Sequence, residues 1–217
     1  MRQPLSTVIF DLDGTLIDSK PSILDSFGLA VSSVFPGKKF DLSTVVLGPP
    51  IRRMFQISFP AASEDEIEKM LRVFRDHYDR KSSLRARPYD GVWEVLACCQ
   101  RRGLALDLAT NKPLKISTAI LAHRKLDHYF RSILAVDSIH PPFAGKAEII
   151  RHLLTIHDLN AGEVLYVGDS AEDALAAKAC GVLFVWAAYG YGRLKEEDRG
   201  AFFGAVHKLG DLMALLP

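Results

Sequence analysis

Five short runs rich in Val, Ile, Leu and Phe punctuate the chain: Thr7 to Phe10, Leu104 to Ala109, Ser132 to Val136, Glu163 to Val167 and Val182 to Ala187. Their shortness and near-continuous apolar character predict strands buried on both faces. From Leu104 onward they alternate with stretches of helical spacing, Lys115 to Leu126, Ala147 to His157 and Ala171 to Ala179. Strand and helix in alternation predict an α/β fold, a Rossmann-like parallel sheet with helices on both faces.

The long gap between the first two runs has a different texture. Its segments Lys20 to Val34, Pro50 to Phe59 and Glu64 to Arg80 have helical spacing, and Ser63 and Glu66 stand at capping-box distance at the start of the last. Pro36-Gly37 and Gly48-Pro49-Pro50 break the gap into pieces. An unstructured loop of this size is implausible in a folded domain, so the pattern predicts an inserted helical domain, residues 17–86, in a core made of 1–16 and 87–217. A helix from Asp90 to Arg102 returns the chain to the core.

Ligands of open parallel sheets collect at the carboxyl ends of the strands, and the residues just past these runs are chemically rich. Asp11, Asp13 and Gly14 come after the first, Thr110-Asn111-Lys112-Pro113 after the second, and Gly168-Asp169-Ser170-Ala171-Glu172-Asp173 after the fourth, while Gly145-Lys146 opens a predicted helix. Residues i and i+2 of an extended chain point the same way, so Asp11 and Asp13 reach one small volume. Two carboxylates there repel unless a cation, a shared proton or unequal protonation compensates. An EF-hand loop counted from Asp11 fails, because Leu16 stands where it needs glycine and Ser22 where it needs glutamate. A plain Asx turn is the remaining bland alternative.

Composition narrows the partners. The chain has 217 residues, 48% of them hydrophobic, and a net charge of +1, which offers no electrostatic case for a nucleic-acid polymer or a membrane surface. No apolar run approaches the roughly 20 residues of a bilayer span, and Asp11 interrupts the first run too early for a signal peptide. The expected location is cytoplasmic. Cys98, Cys99 and Cys180 show no C-x-x-C spacing and read as thiols on helices. None of the seven histidines has a partner at metal-ligand spacing.

The ordered set Asp11-Leu12-Asp13-Gly14-Thr15, Thr110-Asn111, Lys146 and Gly168-Asp169 with Asp173 resembles the haloacid dehalogenase superfamily. The branch is that of phosphatases with a helical, C1-type cap inserted after the first strand, similar to phosphoglycolate phosphatases. The resemblance covers essentially the whole chain and implies a phosphoric monoester hydrolase. By it, Asp11 is the nucleophile that forms an aspartyl-phosphate, and Asp13 is general acid and then base. Mg2+ is held by Asp11, the Asp13 carbonyl and Asp169. Lys146, Thr110, Asn111, Gly14 and Thr15 bind the phosphoryl group, while Asp173 and Ser170 stand behind them. The dehalogenases and phosphonatases of the superfamily lack an acid at the position of Asp13, so its presence favours phosphate transfer.

One departure is visible. The commoner pattern around the lysine is K-P-x-P, whereas this chain reads Lys146-Ala147-Glu148. Family members that resemble 5'-nucleotidases share the missing prolines, which keeps nucleoside monophosphates in view beside phosphoglycolate. In the inserted domain, Leu47 to Phe55 resembles the family's specificity stretch, where Arg52 or Arg53 would clamp a substrate anion or else form a solvated helix face. Thr110 has its own bland role as a helix cap, and Lys146 as a solvated charge. Inorganic pyrophosphate, a phosphomutase outcome and a catalytically silent phosphate sensor complete the alternatives. The expected partner is a small phosphorylated metabolite, with the protein a monomer or homodimer.

Overall fold

Every residue of the first strand, β1 (Thr7–Phe10), is buried, as a central strand covered on both faces requires. Two very short strands, β2 (Ile17–Asp18) and β3 (Arg87–Pro88), mark where the chain leaves and re-enters the sheet-bearing part of the molecule. β1 pairs in parallel with β4 (Ala105–Thr110) on one side and with β6 (Val164–Gly168) on the other. β5 (Ser132–Ala135) extends the sheet past β4, and β7 (Leu183–Ala187) and β8 (Phe202–Val206) extend it past β6. The result is six parallel strands in the order β5-β4-β1-β6-β7-β8. Successive strands run outward from β1 in both directions, so the carboxyl end of β1 is the topological switch point of the sheet.

This is a computed structural model, and it describes residues 4–192, 194 and 202–217. The chain divides into two units, Met1–Asp18 with Pro88–Pro217, and Ser19–Arg87.

The helices of the sheet unit bury the stripes that the sequence spacing gives them. α4 (Val92–Arg101) buries Val92, Val95, Leu96 and Cys99 at i, i+3, i+4 and i+7. α5 (Leu114–His123) buries Ile116, Ile120 and Leu121. Ile149, Ile150 and Leu153 of α6 (Lys146–Ile156) pack with Ile9, Tyr166 and Phe184 of the sheet and with Ala174 and Ala177 of α7 (Ala171–Cys180). Asp107, wholly buried in β4, is held by Arg131 through both Nε (3.2 Å) and Nη2 (2.5 Å), the pairing that a buried carboxylate needs. Cys98, Cys99 and Cys180 are free thiols, and they lie on α4 and α7.

The other unit is built from α1 (Lys20–Val34), α2 (Ile51–Ser58) and α3 (Glu64–His77). Ser63 and Glu66 form the reciprocal capping box expected of them, and α3 buries Ile67, Met70, Leu71 and Phe74. Phe27 stacks on Phe55 with ring centroids 4.4 Å apart, and Phe74 meets Phe55 edge-on.

Two elements differ from the sequence expectation. The helix predicted to run to Arg80 stops at His77 and widens into a π-turn, Tyr78–Ser82, which brings the Ser82 hydroxyl to the Ser22 carbonyl (3.3 Å). β8 was not anticipated, because Gly204 sits in the middle of its five residues and a glycine weakens any strand signal. Among the described residues, no helix is long and apolar enough to cross a membrane.

Candidate active site

The carboxyl ends of β1 and β6 lie side by side, and each strand hands the chain to a turn that carries acids. The Asp11 N–H donates to the Val167 carbonyl (2.9 Å), continuing the ladder one residue past β1. The chain then curls back on itself, with the Leu16 and Ile17 N–H groups both on the Leu12 carbonyl. Gly14 makes this possible: its φ is +81°, and a Cβ there would collide with the Asp169 carboxylate. Past β6, Asp169 and Ser170 lead directly into α7, whose first turn supplies Asp173.

Asp11, Asp169 and Asp173 are all buried, and each offers an oxygen within 4.8 Å of the others. Lys146, the first residue of α6, sits among them. Its Nζ is 2.9 Å from Asp11 Oδ1 and 2.6 Å from Asp173 Oδ1. Asp173 is fully engaged: the Tyr166 hydroxyl donates to Oδ1 (2.6 Å), while the Ser170 N–H and hydroxyl donate to Oδ2. The same residue closes the capping box of α7. Asp169 directs Oδ2 to the N–H groups of Tyr191 (2.7 Å) and Gly192 (3.0 Å), and among the described residues Oδ1 accepts no hydrogen bond.

These positions have electrostatic consequences. Burial pushes the Asp11 carboxyl well above the usual range; Lys146 pulls it back, and Asp173 and Asp169 push with burial. Burial, reinforced by Asp173, drives Asp169 up to about 6. Burial also opposes ionisation of Asp173, but Lys146 and the hydrogen bonds it receives outweigh this and hold it below the usual range. For Lys146 burial favours the neutral amine, and the two carboxylates overcome that and hold the ammonium above its ordinary value. One ammonium among three buried acids pairs most fully with Asp173, and the raised values of Asp11 and Asp169 mark the two carboxyls whose ionisation is left without enough compensation.

The remaining sequence-derived residues have distinct places. Asp13 turns to Lys112, whose Nζ lies 2.9 and 2.8 Å from its two carboxylate oxygens. The Thr110 hydroxyl accepts the Lys112 N–H (3.2 Å) and so shapes the turn that delivers this lysine. The helix-cap alternative for Thr110 does not hold, since Pro113 occupies the N-cap position of α5 and the Leu114 N–H donates to Asp137 Oδ1 (2.7 Å). Asn111 donates to Glu172 Oε1 (2.8 Å) across the rim. Thr15 is wholly buried, with its hydroxyl unpartnered among the described residues. Arg52 and Arg53 belong to the helical unit. There Arg52 bridges Glu64 (2.9 Å) and Glu68, while Arg53 is exposed.

Three groups escaped the sequence reading. Lys112 stood inside a noted motif, but its contact depends on β4 lying beside β1. Tyr166 reads as a core aromatic, and only its buried position beside α7 turns its hydroxyl onto Asp173. Tyr189-Gly190-Tyr191-Gly192 reads in the sequence as a glycine-rich turn at the site's edge, but the contacts of its Tyr191 and Gly192 amides leave no side-chain signature.

The model of the family "Haloacid dehalogenase-like hydrolase" matches residues 8–187. This chain belongs to the haloacid dehalogenase-like hydrolases. It is 34% identical to a phosphoglycolate phosphatase of Pseudomonas fluorescens, over 97% of this chain and 78% of that one. It is 30% identical to a 5'-nucleotidase of Pseudomonas aeruginosa, over 96% of this chain and 92% of that one. In structure it resembles a haloacid dehalogenase-like hydrolase of Streptococcus pneumoniae, with a TM-score of 0.85 at 23% identity over 97% of each chain, a likeness of fold. Within the haloacid dehalogenase-like hydrolases the chain falls among the phosphatases.

Proposed function

We propose that the chain is a magnesium-dependent phosphatase that hydrolyses a small phosphomonoester through an aspartyl-phosphate on Asp11. The observation that carries this reading is the buried Asp11–Lys146–Asp173 array with Asp169 beside it. The possible ligand atoms there are carboxylate oxygens, and three acids against one ammonium favour a hard cation that would stabilise their ionised forms, which suits Mg2+. Asp11, Asp169 and the Asp13 main-chain carbonyl would hold it; Asp173 is already committed to Lys146, Tyr166 and Ser170. When bound, the ion supplies the charge neutralisation that lets a carboxylate approach a phosphate.

The protein's own groups do the rest in this reading. Lys146 fixes the Asp11 carboxylate and presents an ammonium to the phosphoryl oxygens, where charge spreads in a loose transition state. Asp13 protonates the departing alcohol and later takes a proton from the attacking water. Asp173 and Tyr166 keep Lys146 in place. Exhaustive treatment with EDTA is expected to remove phosphate release from p-nitrophenyl phosphate, Mg2+ to restore it, and Ca2+, which prefers more ligands at longer distances, to restore little. Full activity after chelation would overturn the metal assignment.

Phosphoglycolate is the leading substrate, supported by the relatives named for it. A nucleoside 5'-monophosphate is the second reading, supported by the 5'-nucleotidase that aligns over 92% of its own length and by the absent prolines after Lys146. Hydrolysis of the two compounds side by side decides between them.

Selectivity is assigned to the helical unit acting as a cap. Arg52 is already paired with Glu64 and Glu68, so Arg53 is the better candidate for a substrate carboxylate. Arg53→Ala is expected to lower kcat/KM for phosphoglycolate about ten- to a hundredfold, the loss of one charge-assisted contact, while sparing p-nitrophenyl phosphate. Equal losses on both substrates, or none, would remove Arg53 from the recognition of substrate.

A further inference from the structure

We infer that the turn Tyr189-Gly190-Tyr191-Gly192 is a positioning device for the metal site, setting where Asp169 stands relative to the Asp11–Asp13 segment. The inference rests on the reading of Asp169 as a cation ligand. Nothing in the family motifs assigns the turn a role, and it is no nucleotide fingerprint, lacking G-x-G-x-x-G.

The turn holds Asp169 from several sides. Consecutive N–H groups of Tyr191 and Gly192 converge on one carboxylate oxygen, Oδ2, the arrangement of a backbone nest for an anion. That fixes the rotation of the carboxylate and leaves Oδ1 as the oxygen a cation would use. The Trp186 indole N–H holds the Asp169 carbonyl (3.0 Å). Gly190 and Gly192 lie so close that a Cβ on the first would strike Asp169 Cβ and the Gly14 carbonyl, and a Cβ on the second the Asp169 carbonyl. No side chain larger than hydrogen fits at either place without moving the ligand.

The two tyrosines tie the same turn to the segment after Asp13. The Tyr189 hydroxyl donates to the Thr15 carbonyl (2.6 Å). The Tyr191 hydroxyl reaches the Ile17 carbonyl (3.3 Å) and Asp18 Oδ1 (3.1 Å). Four residues thus bind both partners of the site, Asp169 through backbone and the Thr15–Asp18 curl through side chains. Hydrogen-bonding partners that orient a ligand typically change metal affinity when removed.

The test is equilibrium binding of Mn2+, an oxygen-seeking stand-in for Mg2+, followed by the EPR signal of the free ion in the absence of substrate. Wild type, Asp169→Asn, Gly190→Ala, Gly192→Ala and the double variant Tyr189→Phe/Tyr191→Phe are compared, with the melting temperature of each metal-free protein. The alanine variants are expected to bind Mn2+ roughly ten- to a hundredfold more weakly, and the phenylalanine pair several-fold more weakly, with a melting temperature close to wild type. If the alanine variants do not fold, the phenylalanine pair decides. Mn2+ affinity within twofold of wild type in every folded turn variant, with binding lost in Asp169→Asn, would overturn the role of the turn while leaving the metal site standing. No binding by wild type, or undiminished binding by Asp169→Asn, would instead overturn the cation reading on which the inference rests.

Discussion

Asp11→Asn is expected to yield a folded protein whose turnover of phosphomonoesters falls by at least roughly 10⁴-fold, the scale seen when a covalent catalyst loses its nucleophile. The amide is nearly isosteric, so the buried pocket at the end of β1 keeps its shape. It also removes one of the acids that crowd one another there. Lys146 keeps Asp173 as a partner at 2.6 Å, so its ammonium is not stranded. Stability close to wild type together with lost turnover is therefore the expected outcome for a nucleophile. Purified, folded Asp11→Asn with more than about a hundredth of wild-type kcat would sink the aspartyl-phosphate mechanism.

Lys146→Met should fail in a different way. Here the variant removes the cation and leaves Asp11, Asp169 and Asp173 facing one another in a buried volume. Breaking a buried ion pair by deleting one partner costs on the order of 3 to 5 kcal/mol. For a chain of this size that corresponds to a fall in melting temperature of about 10 °C. Activity should disappear as well, since the phosphoryl oxygens lose their ammonium. A divalent cation should recover part of the melting temperature but none of the activity, because it relieves the repulsion without replacing the lysine. A metal-free variant that melts within about 2 °C of wild type would mean that the three acids relax apart at little cost.

The sequence was legible wherever the signal was local. α1 has the bounds its spacing predicts, Lys20–Val34, and Ser63 with Glu66 announced the start of α3. Asp11, Lys146, Asp169 and Asp173 were legible because each stands at a strand end or helix start, and the parallel topology brings those ends together. The groups that escaped depend on pairings between distant segments. Lys112 meets Asp13 across 99 positions of sequence, and Tyr189 reaches the Thr15 carbonyl across 174. Arg52 pairs with Glu64 and Glu68 on the solvated face of the helical unit, partners that come within reach only when α2 and α3 pack.

Asp173 does two jobs with one carboxylate. It closes the first turn of α7 on Ser170 and it anchors Lys146 beside Asp11. A residue shared in this way couples the folding of a helix to the assembly of the candidate active site, so neither can be adjusted without disturbing the other. A substitution at Asp173 would therefore register twice, in the stability of α7 and in the position of Lys146.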